Sequence, residues 1–205
     1  QRADPRWKAT QGLLVTGLGG LALLAGLVLL RMASGASSLS ALAGTDLSGH
    51  QLAPAIILLV ALGALTKSAQ FPFHFWLPNA MAGPTPVSAF LHSATMVKAG
   101  VFLLAILAPV LAAHPLWTPL FVVCGFLTVT VAVVRGWNER DLKAILACTT
   151  LAALGHLTIL AGLGTPAALQ AFLIFLLAHA LYKCPLFLAA GTLEEAYGTR
   201  DLTRL

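Results

Sequence analysis

Apolar residues follow one another along this chain in runs of about twenty, the length a helix needs to cross a bilayer. Six runs qualify, at about 11–31, 52–71, 86–112, 117–135, 142–163 and 167–190. The breaks between them carry helix-ending residues: ASGASS and GTDLSGH before the second run, FPFHFWLPNAMAGPTP before the third, AAHP before the fourth, RGWNERD before the fifth and GLGTP before the sixth. The pattern predicts an all-α integral membrane protein of about six transmembrane helices. It forms a single membrane segment over 1–205, with no soluble domain boundary and no low-complexity stretch.

Composition agrees with the pattern. The chain is 59% hydrophobic and only 9% charged, against about a quarter charged in soluble domains, and its mean hydropathy is +0.89. The formal charge of +5 does not point to nucleic acid, because the basic residues form no run. They instead sort by side of the membrane. Arg2, Arg6, Lys8, Arg135, Arg140, Lys143, Arg200 and Arg204 fall on one side of the six-span layout and Arg31 alone on the other. Positive residues concentrate in cytoplasmic connections, so both ends of the chain, the 72–85 connection and RGWNERDLK are expected in the cytoplasm. The opening QRADPRWKATQ lacks an initiator Met and a signal-peptide cleavage site, and the chain reads as a fragment of something longer. Cys124, Cys148 and Cys184 lie in apolar runs without metal-binding or disulfide spacing and read as inert core residues.

Three lysines remain inside the apolar runs: Lys67, Lys98 and Lys183. A lysine at mid-membrane costs about 2.5–3.5 kcal/mol and normally faces a bundle interior or a wet cavity; near a helix end it can instead snorkel to the headgroups. Lys67 precedes QFPFHFWLPN, where Pro72 and Pro78 remove backbone donors, so the second span is expected to break beside a charge. Lys98 falls near the middle of the third span. In the same span, Ser88, His92 and Thr95 share one face. In the sixth span His179 and Lys183 stand one turn apart, followed by Pro185, and the fifth span adds His156. His156 is either a stepping stone between the lysine sites or a histidine bonded to a neighbouring backbone carbonyl. No Asp or Glu lies within the six runs, so neither paired-carboxylate chemistry nor a metal site is expected, and no cofactor. Lysines and histidines can relay protons but give poor ligands to a bare alkali cation, which wants oxygen.

The segment KSAQFPFHFWLPNAMAGPTPVSAFLHSATMVKAG, together with RDLKAILACTT, AHALYKCPLFLAAG and GTRDLTRL, resembles the proton-translocating antiporter-like subunits shared by respiratory complex I and the Mrp-type Na⁺/H⁺ antiporters. FPFHFW and MVKAG are most similar to the large A-type subunit of Mrp. The resemblance implies a larger fold of inverted helix repeats, each with a broken helix, of which this chain holds a part. It implies that Lys67 is the broken-helix lysine, paired with a glutamate on a helix outside this chain. It implies a relay histidine at His92 and a central relay at His179 and Lys183. It also implies partnership with other membrane subunits, protons and monovalent cations as cargo with Na⁺ expected, and a prokaryotic plasma membrane location. Two rivals stand beside this reading. One is a proton-pumping membrane-arm subunit of a complex I-like quinone oxidoreductase or hydrogenase, and the other is a scaffold whose lysines only position helices.

Overall fold

A computed structural model describes residues 5–42, 44–94 and 96–205, so Arg2 and Thr95 of the sequence reading lie outside the described residues. The described residues are almost entirely helical. Helix α1 spans Pro5–Ser34, α2 is the single turn Leu39–Leu42, and α3 spans Ala53–Lys67. Single turns follow, among them α4 (Trp76–Asn79) and α5 (Thr85–Ala89); then come α6 (Lys98–Leu111), α7 (Trp117–Trp137), α8 (Leu142–Leu163) and α9 (Pro166–Tyr197). Among the described residues five segments are long and apolar enough to cross a membrane, while α3, at 15 residues, is shorter. At 1.5 Å per residue α3 covers only about 22 Å of a core roughly 30 Å thick. The chain continues past its end through the turns at 73–82.

Local chemistry sets the helix ends. Asp141 opens α8, its carboxylate accepting from the backbone N–H groups of Lys143 (2.9 Å) and Ala144 (3.1 Å). Gly164 closes α8 at φ 63°, a left-handed conformation that glycine adopts without penalty. Thr165 then caps α9 through Ala168 N–H (3.2 Å), with Pro166 at the first helical position. Helix α9 runs through Pro185 without interruption and ends at Tyr197, capped by Gly198, beyond the 167–190 run, so that it carries Glu194 and Glu195.

Small residues let the helices approach closely. A Cβ on Gly125 of α7 would lie 2.6 Å from the Gly155 carbonyl of α8, and one on Gly155 would lie 2.8 Å from the Gly125 carbonyl. Such backbone proximity is how helices associate where lipid supplies no hydrophobic contrast. The interior, including Leu104, Leu107, Phe121, Leu151, Leu157 and Phe172, is buried between α3, α6, α7, α8 and α9.

The connections gather at two ends. At one, Asn79 donates to Gln11 Oε1 (2.9 Å), Lys143 donates to the Gly83 carbonyl (3.1 Å), and the Leu202 N–H reaches the Arg140 carbonyl (3.1 Å). At the other, Leu47 N–H bonds the Val110 carbonyl (3.2 Å) and Thr118 bonds the Gly162 carbonyl (2.9 Å). This is the alternation six crossings require. Two copies of Arg-Asp-Leu, at 140–142 and 200–202, meet at the first end in an isolated antiparallel bridge between Asp141 and Asp201.

Candidate functional site

The helix break falls where the prolines place it. Helix α3 stops at Lys67, and the chain turns through Ser68 to Phe71, with Ala69 at φ 50°. Buried carbonyls freed by a break must find donors, and here protein groups supply them. The Trp76 indole donates to Thr66 O (3.0 Å) and the Gln70 amide to Ser68 O (3.0 Å). The Phe71 N–H is taken by Thr128 Oγ1 (2.9 Å), and the Val101 N–H by Ser68 Oγ (3.0 Å), which ties the break to α7 and α6. Pro72 precedes the 73–75 turn and Pro78 sits within α4. Lys67 is half-buried at the C-terminal end of α3, where a cation complements the helix dipole. No hydrogen bond, ion pair or ring contact joins it to another described residue, whether a carboxylate or the groups below.

The third span is not one α-helix. Between α5 and α6 lies a π-helical segment, Phe90–Ala94, followed by a turn. Nothing in the sequence marks it, because no proline is present. Serine and lysine side chains hold it instead: Ser93 Oγ bonds the Ala89 carbonyl, and the Lys98 ammonium bonds the Ser93 carbonyl. Lys98 is 5% exposed and stands at the first position of α6, so it supplies the donor that a continuous backbone would have given. Wide turns of this kind appear frequently at functional positions.

His92 sits in that segment with 0% exposure, its ring 5.0 Å from the ring of Phe187 on α9. His179 is equally buried, between the rings of Phe175 (6.3 Å) and Tyr182 (5.3 Å). All four ring nitrogens of His92 and His179 lack a protein hydrogen-bond partner. Lys183, one turn beyond His179 and 1% exposed, donates to the Leu146 carbonyl (3.0 Å) and to Thr149 Oγ1, and lies 5.9 Å from the Tyr182 ring centre. Lys98, Lys183 and His92 are all electrostatic neighbours of His179. Four of the six candidate relay residues thus form one buried group.

His156 and Lys67 stand apart from it. His156 is on an exposed face of α8, with Nδ1 bonded to the Ala152 carbonyl (2.9 Å). Its ring meets Phe175 edge-on at 6.3 Å, so an apolar ring separates it from His179. The cysteines are free: Cys148 is buried, Cys124 half-buried, and Cys184 is on the exposed face of α9 rather than in the core.

One buried cation escaped the sequence reading. The Lys143 side chain is 2% exposed and lies 3.7 Å from Glu194. Read from sequence, it was one more positive charge at a helix end. Its i+4, i+8 and i+11 spacing to Ala147, Leu151 and Leu154, all buried, is the signal that it faces inward.

Residues 6–205 match the family model described as NADH:quinone oxidoreductase/Mrp antiporter, transmembrane. A protein of Rhizobium meliloti (strain 1021), named as a probable K(+)/H(+) antiporter subunit of A/B type, is 46% identical over 205 residues, which is 99% of this chain and 20% of that protein. The structure of the Mrp complex from Dietzia sp. DQ12-45-1b contains a chain with 42% identity and a TM-score of 0.90, covering 98% of this chain and 23% of that one. This chain therefore spans only about a fifth to just over a quarter of the length of the relatives it matches. With the break, the buried lysines and histidines and the multi-pass apolar helices all in place, the chain belongs to the NADH:quinone oxidoreductase/Mrp antiporter transmembrane family.

Proposed function

We propose that this chain carries part of the proton path of a monovalent cation/proton antiporter, as a segment of an Mrp A-type subunit working with other membrane subunits. One observation carries the reading: two fully buried histidines, with four unpartnered ring nitrogens, beside two buried lysines in an apolar bundle. Leaving a buried donor or acceptor unpaired costs about 1–3 kcal/mol. Water does not reach these nitrogens in this packing; they gain hydrogen bonds when it opens, and titratable groups then linked by water pass protons. Lys67, without a partner among the described residues, is the group free to respond to a carboxylate elsewhere in the assembly. Its approach to that carboxylate and its retreat change its proton affinity, and the change passes along His92, Lys98, His179 and Lys183, with His156 at the flank. The cation crosses elsewhere in the complex. K⁺ and Na⁺ are both candidates, since the Rhizobium relative is named for K⁺. The asymmetry of lysine and arginine supports a cytoplasmic location for both ends of the chain, in a prokaryotic plasma membrane.

The test uses inverted vesicles from a host without its own antiporters or complex I, containing the intact complex that carries this chain. A pH gradient is built with succinate, and NaCl or KCl is then added. The unmodified complex is expected to collapse the gradient with at least one salt, and Lys67→Ala and Lys183→Ala are expected to abolish the response at normal assembly. If the unmodified complex ignores both salts, the redox-arm reading displaces this one. If the variants respond normally, the lysines only position helices.

A further inference from the structure

Lys143 is a buried lysine outside the relay, and its partners join three segments. Its ammonium donates to the Gly83 carbonyl (3.1 Å) and pairs with Glu194 Oε2 (3.7 Å). The same carboxylate oxygen accepts from Thr85 Oγ1 (3.3 Å), while Oε1 lies 3.6 Å from Arg200 Nε. Arg200 also reaches Asp141 (3.0 Å), whose other oxygen caps α8 at Lys143 and Ala144. The 83–85 turn, the start of α8 and the end of α9 are thus fastened at one point.

That point lies at the end of a continuous contact that includes the relay. Along α9, Lys183, Phe187 and Gly191 recur every four residues, and Glu194 follows three later, all on one face. Opposite them, Thr85, Ser88 and His92 recur at i, i+3 and i+7 along α5 and the π-helical segment. The two rows meet at both ends: His92 lies against Phe187 (5.0 Å), and a Cβ on Gly191 would lie 2.6 Å from Thr85 Cγ2. A π-helical segment and a one-turn helix have few backbone bonds of their own to fix their position. Thr85 and Gly83 are the points at which the stretch leading to His92 is bonded to α9 and α8.

We propose that Lys143 and Glu194 form a clasp that positions the His92-bearing segment against α9, and so sets proton transfer between His92 and the His179–Lys183 pair. Neither residue passes the proton in this scheme. They act through the geometry of the segment they hold. The transport consequence rests on the antiporter reading above; the structural one does not.

The experiment therefore has two arms, both on the intact complex in membranes. In the first, Lys143→Met and Glu194→Gln each lower the maximal rate of cation-driven proton flux about tenfold or more, with the half-saturating cation concentration unchanged. The double variant is no slower than the slower single one, and Lys143→Arg recovers most of the rate. In the second, Cys124, Cys148 and Cys184 are replaced by alanine, and a thiol is introduced by Ser88→Cys, a position 1% exposed, or by Thr158→Cys, 0% exposed and on α8 away from the clasp. Adding Lys143→Met or Glu194→Gln is expected to speed maleimide labelling of the position-88 thiol about tenfold and to leave the position-158 thiol protected. The clasp is refuted if the thiol at 88 stays protected, or if both thiols open together as in general unfolding. Absence of cation-driven flux from the unmodified complex would sink the antiporter reading, and the labelling would still decide the clasp.

Discussion

Lys67 is half-buried while Lys98 and Lys183 are buried, and their hydrogen bonds set them apart further. Lys98 donates to the Ser93 carbonyl in a buried turn that the backbone leaves without a helical donor. Lys67 donates to no described residue. Replacing each by methionine keeps most of the side chain's length and removes the charge, so the two variants separate a structural role from a purely functional one. Lys98→Met leaves a buried acceptor unpaired and is expected to cost about 1–3 kcal/mol, seen as a lower midpoint when the purified complex is heated and its intact fraction measured. Lys67→Met is expected to leave that midpoint unchanged within error while stopping cation-driven flux. The sequence named both lysines because lysine in an apolar run is conspicuous. It could not separate them, because the acceptor at Ser93 exists only once the third span departs from the α-helix.

The two interruptions differ in how far the sequence reveals them. The break after Lys67 is legible in advance: Pro72 and Pro78 cannot donate backbone bonds, and the helix ends before them. The π-helical segment at 90–94 is not legible, since Phe-Leu-His-Ser-Ala carries no breaker and its geometry depends on Ser93 and Lys98 side chains. The clasp was hidden for a related reason: Lys143 and Glu194 are 51 positions apart and meet only when α8 and α9 pack. At the proline break Trp76 makes one of the replacement bonds: its indole N–H crosses to Thr66 O at 3.0 Å, and the residue is 5% exposed. Trp76→Phe keeps an aromatic ring but deletes the donor. It is expected to destabilise the folded segment by about 1 kcal/mol, read as a lower denaturation midpoint than Leu186→Ala, a control on the exposed face of α9.

As a whole, the molecule presents apolar faces that only further protein or lipid can cover. On α1, Leu13 (72% exposed), Leu18, Leu21 and Leu24 face outward, and on α9 so do Ile174, Leu177 and Leu181. Such faces suit lipid, and they suit neighbouring helices equally. The chain matches about a fifth to just over a quarter of its relatives' length, and Lys67 has no carboxylate partner among the described residues. A proton path that works by moving a lysine between partners needs both partners present. Residues 1–205 alone, reconstituted in liposomes with an imposed Na⁺ or K⁺ gradient and an internal pH dye, are therefore expected to show no cation-coupled proton flux above protein-free liposomes. The intact complex reconstituted in parallel is expected to show it, with loss on Lys67→Ala. Flux through the isolated segment that Lys183→Ala abolishes would mean that the buried His92–His179–Lys183 group works without a carboxylate on Lys67, and the role assigned to that lysine would have to be withdrawn.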